Sequence, residues 1–310
     1  MDDIDFRLIA ALQCDGRAQL GHVASALKLS PRVVHRRWSA MFGSGAVRVV
    51  CSRPRPPVGA AMMLRLRVTQ GQAASVARAL AARDDIPLVD LSAAGDQVLA
   101  VMLADPDRRD RLVFRQLPAT KAVTSVDAQT IIHAYSDAND WRLDVLSRAE
   151  RAALTGPESP AAEVEELDEV DSRIAAALAG NGRSTVSSVA RLIEQPESSV
   201  RRRMAGLFAR GQLTARVIVD PVQLGFLVDA SVLMRVPPGA LDQLGRLLAG
   251  HPAVHGVLAT TGTVNLLAAV WLPDLDHLYR FITVDLGSAG VTSIETILIG
   301  ESAKRPAASW

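Results

Sequence analysis

The feature that most constrains this chain is an internal repeat. The segment DIDFRLIAALQCDGR at Asp3–Arg17 reappears as DEVDSRIAAALAGNGR at Asp168–Arg183, and Asp5 pairs with Asp171 at a spacing of 166 residues. Further matches at the same or nearly the same spacing pair Arg36 with Arg202, Gly59 with Gly225, Gly95 with Gly262 and Val123 with Val291. A repeat of this length predicts that one fold is built twice within the 310 residues.

The first part of each copy has helical spacing of its apolar residues, which predicts three short helices. In the first copy Ser30 is a favourable N-cap and Pro31 suits the first helical position, so the third helix is predicted to begin there. The second copy has Pro196 and Glu197 at these positions, and we expect a poorer cap. The residues predicted to face inward are Val34, Trp38 and Met41, and in the second copy Val200, Met204 and Leu207.

The second part of each copy alternates strand, helix, strand, strand, helix and strand, with proline or glycine near most junctions. The last strand is predicted at Ala122–Ile132 in the first copy and at Val291–Ile299 in the second. Two βαβ halves of this kind predict a four-stranded antiparallel sheet with helices on one face and an open second face. The predicted fold class is therefore α+β. The predicted domains are helical at 1–50 and 167–218 and ferredoxin-like at 51–135 and 219–310, with an acidic linker at 136–166.

The linker has more acids than bases, and its two parts predict different structures. Leu146–Leu154 has the composition of a short helix, whereas TGPESPAAEVEE at Thr155–Glu166 predicts an exposed tether. We expect such an acidic segment to avoid a phosphate backbone.

The net charge of +1 excludes a uniformly basic protein, so contacts with nucleic acid must come from local clusters of arginine. Cys14 and Cys51 lack the spacing of a disulfide framework or a zinc site. The acids at the N-terminus are unlike a signal peptide, and we expect a cytoplasmic protein. Val254–Leu272 has no Asp, Glu, Lys or Arg, but its glycines and threonines, with Asn265, indicate a turn between two buried strands and not a membrane span.

The third helix of each copy carries a cationic segment: SPRVVHRRW at Ser30–Trp38 and SSVRRRM at Ser198–Met204. A short helix after a tight turn, with arginine, histidine and serine on its N-terminal half, has the size and chemistry to enter a major groove. A solvated charged face is the competing interpretation. Recurrence of the segment in register favours a shared task.

The order LD-x-x-D-x-R-I, GR, V-A and S-x-x-x-V-x-x-R, followed by a T-G-x-x-[DN] turn, resembles the Lrp/AsnC family of transcriptional regulators. The resemblance covers both copies and is closer in the second. It implies two winged helix-turn-helix domains, each followed by a ferredoxin-like RAM domain, in a tandem fusion. It also implies hinge strands near Val47–Cys51 and Leu213–Val219.

The family resemblance further implies double-stranded DNA as the partner, an amino-acid effector, and a homodimer or higher oligomer formed by face-to-face pairing of RAM sheets. Whether the two RAM domains of one chain pair with each other or with a second chain stays open in the sequence. No cofactor, metal site or membrane contact is predicted.

The residues predicted to contact DNA lie on the two third helices. They are Ser30, Arg32, His35, Arg36 and Arg37 in the first copy, and Ser198, Ser199, Arg201, Arg202 and Arg203 in the second. Arg37 and Arg203 have a second interpretation, as braces paired with Asp5 and Asp171.

The residues predicted to bind an effector lie on the glycine turn before the third RAM strand. They are Thr261, Gly262, Thr263 and Asn265 in the second copy, and Gly95 and Asp96 in the first. The family's acid three residues after the glycine is absent, because Val98 and Asn265 stand there. A plain hairpin turn is the competing interpretation, and it is favoured for the first copy.

Two alternatives to a two-headed regulator stay open. Sirohaem decarboxylases resemble the same architecture, but the histidines His251 and His255 lie around a turn and form no evident tetrapyrrole or metal constellation. No nucleophile elbow or phosphate loop is present, so no catalytic residue is predicted. In the second alternative, one copy is a scaffold and only the other reads DNA.

Overall fold

The structure is a computed structural model that describes residues 1–54, 61–103, 106–136, 141–155, 165–287 and 289–305. The described residues form two compact units, and each unit takes residues from both halves of the chain. One unit comprises 1–54 and 142–224, and the other lies within 61–141 and 225–305.

The first half of the chain begins with three helices and a strand, followed by alternating strands and helices. In order these are α1 (Asp3–Cys14), α2 (Leu20–Ala26), α3 (Pro31–Gly43), β1 (Val47–Ser52), β2 (Ala61–Val68), α4 (Ala73–Ala81), β3 (Leu88–Ser92), β4 (Gln97–Leu103), α5 (Pro106–Arg111), a π-helical turn (Leu112–Gln116), α6 (Leu117–Ala119) and β5 (Val123–Ser136).

A short helix, α7 (Arg148–Leu154), precedes the second half, which repeats the same pattern of elements. In order these are α8 (Glu169–Gly180), α9 (Val186–Leu192), α10 (Glu197–Ala209), β6 (Thr214–Val219), β7 (Val228–Arg235), α11 (Pro238–Ala249), β8 (Val254–Thr260), β9 (Leu266–Leu272), α12 (Leu275–Arg280), a π-helical turn (Phe281–Asp285) and β10 (Ser293–Lys304).

We call α1–α3 with β1 the first head and α8–α10 with β6 the second head. The predicted start of α3 is confirmed, since the Ser30 hydroxyl accepts a hydrogen bond from the Val33 N–H at 3.3 Å. The weaker start of α10 is confirmed too, because Pro196 offers no side-chain cap. All six residues predicted to face inward on α3 and α10 are buried.

The two heads are joined by their hinge strands. β1 and β6 pair antiparallel in a two-stranded sheet, with Val47 opposite Val219 and Ser52 opposite Thr214. Val50 lies opposite Arg216, the residue 166 positions further along the chain. The pairing therefore maps onto itself when one head is exchanged for the other, as an approximate two-fold axis requires.

The second unit is a closed barrel of eight strands in the order β10-β3-β4-β2-β5-β8-β9-β7. Each half contributes a four-stranded antiparallel sheet whose outer face packs on its own helices. The cores between sheet and helices include Leu64, Leu66 and Met102 in one half and Val232, Met234 and Phe281 in the other. The two sheets meet edge to edge through β5 with β8 and β10 with β3.

This edge pairing explains where the predicted strand ends were wrong. β5 was expected to end at Ile132 and β10 at Ile299, yet they continue to Ser136 and Lys304. The added residues are those that bond to β8 and β3 of the other half. The open faces of the two sheets face each other inside a barrel that one chain closes by pairing its strand edges.

Part of the predicted linker is packed against the first head. The expected short helix is present as α7, where Glu150 forms an ion pair with Arg7. The Leu143 N–H donates to Gln13 Oε1 at 2.9 Å, and Leu154 is buried. The predicted tether lies largely at 156–164, outside the described residues.

Candidate functional site

The outward face of α3 carries a concentrated positive charge. Arg32, His35 and Arg36 are exposed, and Lys28 sits in the turn before the helix with a φ of 56°. Within the described ranges neither Arg32 nor Arg36 forms an ion pair. These guanidinium groups are therefore available for bidentate hydrogen bonds to phosphate or to a guanine edge.

The outward face of α10 has the same layout with a different charge pattern. Arg201 and Arg202 are exposed, as is Ser198, while Ser199 is partly buried. Arg201 Nη2 lies 2.6 Å from Glu197 Oε1, so an acid of the first turn partly neutralises this face.

Arg37 and Arg203 have the partners expected of structural braces. Arg37 Nη1 lies 2.6 Å from Asp2 Oδ2 and 3.0 Å from Asp5 Oδ1. Arg203 Nη1 makes the matching pairs with Asp168 at 2.6 Å and Asp171 at 2.9 Å. The Arg37 guanidinium holds the pKa of Asp2 below its ordinary value. Each arginine thus ties its third helix to the start of the first helix in the same head.

A reciprocal arginine clamp links the heads through the GR motif. Arg17 donates to the Gly182 carbonyl and, at 3.2 Å, to the Ser184 carbonyl. Arg183 donates to the Gly16 carbonyl at 2.7 Å and to the Ala18 carbonyl at 3.0 Å. These contacts exchange when the numbering shifts by 166, so they share the approximate two-fold axis of the hinge strands.

The clamp is packed as well as hydrogen-bonded. The Arg183 guanidinium lies over the Trp38 ring at 4.9 Å, and that of Arg17 lies over the Phe208 ring at 5.3 Å. Burial, and then the charge of Arg17, lower the pKa of Arg183. The sequence displayed both GR motifs but not their partners, because each arginine binds the opposite copy.

The predicted effector turn of the second half packs against β5 of the first half. Gly262 has a φ of 107°, which favours glycine, and a Cβ there would lie 3.1 Å from the Gln129 side chain. The Thr261 N–H donates to the Thr130 carbonyl at 2.9 Å, and Thr263 is exposed. The Asn265 amide accepts from the Val236 N–H at 2.9 Å and donates to the Val236 carbonyl at 2.8 Å.

A small pocket adjoins this turn on the inner side of the barrel. Its lining residues are Met63, Arg65, Asp127, Gln129, Leu233, Thr260, Val264 and Leu267. Thr260 Oγ1 donates to Gln129 Oε1 at 2.9 Å, and Arg65 Nη1 donates to Glu295 Oε2 at 2.7 Å. Polar and apolar side chains thus share the lining of this pocket. Sequence reasoning missed Arg65 and Gln129, because only barrel closure brings them beside Thr260.

The corresponding turn of the first half is a tight hairpin. Gly95 has a φ of 72°, and its N–H donates to the Ser92 carbonyl at 2.9 Å. Asp96 accepts a hydrogen bond from the Ser92 hydroxyl at 2.9 Å, and Val98 is fully buried. These contacts are those of a plain hairpin turn, which is the interpretation favoured for this copy.

A second polar cluster inside the barrel was not anticipated. Asp229 accepts hydrogen bonds from Trp271 Nε1 at 3.1 Å and from Arg305 Nη2 at 2.7 Å. His255 stacks on Trp271 with ring centroids 4.0 Å apart. Burial raises the pKa of nearby Asp90 to about 7. These residues come from four strands and the segment after β10, so no local motif marks them.

The histidines considered for a tetrapyrrole site have separate surroundings. His251 packs on Phe281 and lies 3.5 Å from Asp285, whereas His255 belongs to the barrel cluster. The sequence interpretation overlooked a pair on β5, His133 and Tyr135, whose rings meet edge to face at 4.4 Å. The Tyr135 ring packs against Gly245 of α11.

Within the described ranges, no helix has the length and apolar character needed to cross a membrane. The described residues also bring together no group of three or more His, Cys, Asp or Glu side chains arranged to hold a metal ion.

The three-helix heads and the ferredoxin-like halves correspond to two domain families that match this chain. Residues 1–41 match the AsnC-type helix-turn-helix domain, and residues 229–308 match the Lrp/AsnC ligand binding domain. The chain is 31% identical over 136 residues to the uncharacterized HTH-type transcriptional regulator PH0140 of Pyrococcus horikoshii, covering 43% of this chain and 86% of that one. The chain belongs to the Lrp/AsnC family.

Other regulators match over similar lengths. HTH-type transcriptional regulator Rv2324 of Mycobacterium tuberculosis is 27% identical over 141 residues, covering 44% of this chain and 93% of that protein. These relatives correspond to about half of this chain. Among solved structures, the siroheme decarboxylase NirDL covers 99% of this chain and 94% of its own, with a TM-score of 0.62 and 13% identity. That likeness shows a shared fold across both halves.

Proposed function

We propose that this chain is a sequence-specific transcription regulator that binds double-stranded DNA through two heads and carries two Lrp/AsnC units in tandem. The observation that carries the proposal is the pair of exposed cationic helices, α3 and α10, held by reciprocal Arg17 and Arg183 contacts. The 166-residue repeat and the half-length relatives support the tandem organisation. The domain boundaries and the cytoplasmic location predicted above belong to this proposal.

The DNA contacts we propose are the exposed residues of the two third helices. Arg32, His35 and Arg36 would bind from α3, and Ser198 and Arg202 from α10. Ser30, Ser199 and Arg201 stay secondary candidates. The Ser30 hydroxyl caps α3, Ser199 is partly buried, and Arg201 forms an ion pair with Glu197. For Arg37 and Arg203, the ion pairs with their own heads favour the brace over the phosphate contact.

A small amino-acid-like effector is proposed to bind the barrel pocket next to Thr261, Gly262 and Thr263. Asn265 is not among the residues that line the pocket, whereas Arg65, Gln129 and Thr260 are, so we assign ligand recognition to those three polar side chains. Titration calorimetry with the amino acids tests this assignment, with Gln129→Leu expected to abolish any heat of binding. Unchanged binding in Gln129→Leu would move the site elsewhere.

Self-association through the RAM domains takes a particular form in this proposal. The edge pairing that closes the barrel makes one chain the equivalent of a dimer. Further homo-oligomers would have to use the outer surface of the barrel. Light scattering across a concentration series measures whether they form.

The decisive experiment compares duplex binding by the wild type with that of Arg36→Ala/Arg202→Ala, using DNA that flanks the protein's own gene. We expect the double variant to lose about tenfold or more per arginine and its salt slope to fall by about 2, since phosphate contacts release counterions. Arg115→Ala/Arg280→Ala removes two exposed charges from the barrel unit and serves as the matched control. Equal affinity and equal slope in both variants would refute the proposal.

The sirohaem decarboxylase alternative rests on fold similarity alone. Relatives named as regulators and the helix-turn-helix match support DNA binding instead. Visible absorbance after addition of a tetrapyrrole separates the two functions. A stoichiometric absorbance shift without DNA binding would favour the enzyme.

A further inference from the structure

The two heads are held in a symmetric frame but present different side chains. The hinge strands and the arginine clamp both obey one approximate two-fold axis. α3 and α10 are therefore related by that axis within a single compact unit. In a homodimer the same arrangement would require identical reading helices and a palindromic DNA site. Here both helices belong to one chain, so nothing forces them to be identical.

The outward residues differ at nearly every equivalent position. At a spacing of 166, the pairs are Lys28 with Glu194, Pro31 with Glu197, Arg32 with Ser198, Val33 with Ser199, His35 with Arg201 and Arg36 with Arg202. Only the last pair is conserved. Lys28 and Glu194 lie in equivalent turns of the two heads and have similar left-handed φ values of 56° and 53°. The two heads therefore carry opposite charges at this equivalent position.

These differences change what each helix can read. Besides Arg36, whose counterpart Arg202 lies on α10, α3 presents the unpaired guanidinium group of Arg32, whose planar fork matches the O6 and N7 acceptors of guanine. α10 presents Arg202 and the Ser198 hydroxyl, which bonds to several bases, while Arg201 is held by Glu197. Glu197 of α10 and Glu194 in the turn before it also repel phosphate. We therefore expect the first head to bind DNA more tightly than the second and with greater selectivity for guanine.

We propose that this regulator recognises a non-palindromic operator made of two unlike half-sites in a fixed order, with a guanine-containing half-site bound by α3 as the dominant one. The inference rests on the proposed function, since it specifies which duplex the heads bind. The rigid clamp fixes the order, because the heads cannot exchange places without turning the whole unit on the DNA.

Selection of the full-length protein on a randomised duplex library, followed by sequencing, tests the inference. We expect an enriched motif with two unequal halves, whose more informative half contains guanine. Synthetic duplexes carrying the two selected halves, or either half twice as an inverted repeat, complete the measurement. The native pair should bind at least about tenfold more tightly than the inverted repeat of the weaker half.

A variant with the reading surface of α3 on α10 gives an independent readout. The substitutions are Glu194→Lys, Pro196→Ser, Glu197→Pro, Ser198→Arg, Ser199→Val and Arg201→His, with circular dichroism to check folding. We expect this variant to select an inverted repeat of the dominant half-site. If it does not fold, the wild-type selection still decides the question.

The outcomes separate the two proposals. A palindromic wild-type motif, or equal binding to all duplexes, would overturn the inference and leave DNA binding intact. Absence of any enriched motif, with no duplex affinity above that of Arg36→Ala/Arg202→Ala, would overturn the proposed function and the inference together.

Discussion

The two heads share one framework but differ in how firmly each is built. α1 is capped by Asp2 in a reciprocal capping box. The α7 segment packs on this helix, and every residue from Leu8 to Gln13 is buried. In α8 only Ile174 and Leu178 are buried. α3 has a serine cap and α10 has none. The two heads therefore share the contacts that join them, and they differ in how their first helices are covered, how their third helices are capped and how their surfaces are charged.

The largest expected difference between the heads concerns the glycines of the clamp. A Cβ at Gly182 would lie 2.7 Å from the Val50 carbonyl carbon, whereas one at Gly16 would lie 3.1 Å from the Ala215 Cβ. We expect Gly182→Ala to lower the free energy of unfolding by about 3 kcal/mol and Gly16→Ala by about 1 kcal/mol. Urea denaturation measures both. Equal costs would mean that the hinge strands yield equally on both sides.

The clamp arginines should behave alike despite the difference between the heads. Arg183→Met removes two donors to backbone carbonyls and the cation over Trp38, so we expect a loss of about 2 kcal/mol. Arg17→Met removes the matching contacts and should cost about the same. Thermal unfolding monitored by circular dichroism compares them. A cost confined to one arginine would break the two-fold relation of the heads.

The helix caps offer a loss and a gain at equivalent positions. Ser30→Ala removes the side-chain cap of α3 and should destabilise the protein by about 1 kcal/mol. Pro196→Ser supplies the missing cap of α10 and should stabilise by about 0.5 kcal/mol. Denaturant midpoints for both variants measure the difference. A stabilising Ser30→Ala would contradict the capping role.

Surface charge gives a smaller effect on DNA affinity. Glu197→Gln frees Arg201 and removes an acid from the outward face of α10, the proposed DNA-binding surface. We expect duplex affinity to rise about threefold, or about 0.6 kcal/mol. Glu169→Gln removes an acid from the first turn of α8 and is the control. Fluorescence anisotropy at fixed salt separates them, and an equal gain in both would indicate a non-specific charge effect.

The smallest effect is a pH dependence expected to be equal in both heads. Hydrogen bonding to Arg37 lowers the pKa of Asp2, and the Asp171 N–H followed by Arg203 lowers that of Asp168. A lowered carboxyl pKa gives stability that is complete above the unfolded value near 3.8 and is lost as pH falls through the folded value. Asp2→Asn and Asp168→Asn should each weaken acid sensitivity below pH about 4. Denaturation midpoints measured from about pH 2 to about pH 7 would reveal any difference between the two variants.

Several features were determined by sequence patterns alone, because their causes are local. The inward stripe of α3, its cap at Ser30 and the positive φ of Gly95 and Gly262 depend on neighbours a few residues away. The order of strands and helices followed from apolar periodicity and from proline and glycine at the junctions. The candidate reading residues Arg32, Arg36 and Arg202 followed too, since exposure is what remains after the apolar stripe is buried.

Only the tertiary structure decided which surfaces of the two copies meet. The Arg17 and Arg183 clamp, the β1–β6 pairing, the continuation of β5 and β10 and the pocket beside Gln129 all join residues far apart in sequence. Strand edges present the same N–H and C=O groups whatever their partner, so a sequence pattern cannot select the neighbour. The neighbour is selected by the packing of the whole chain, because one arrangement must both hydrogen-bond the strand edges and bury the apolar faces.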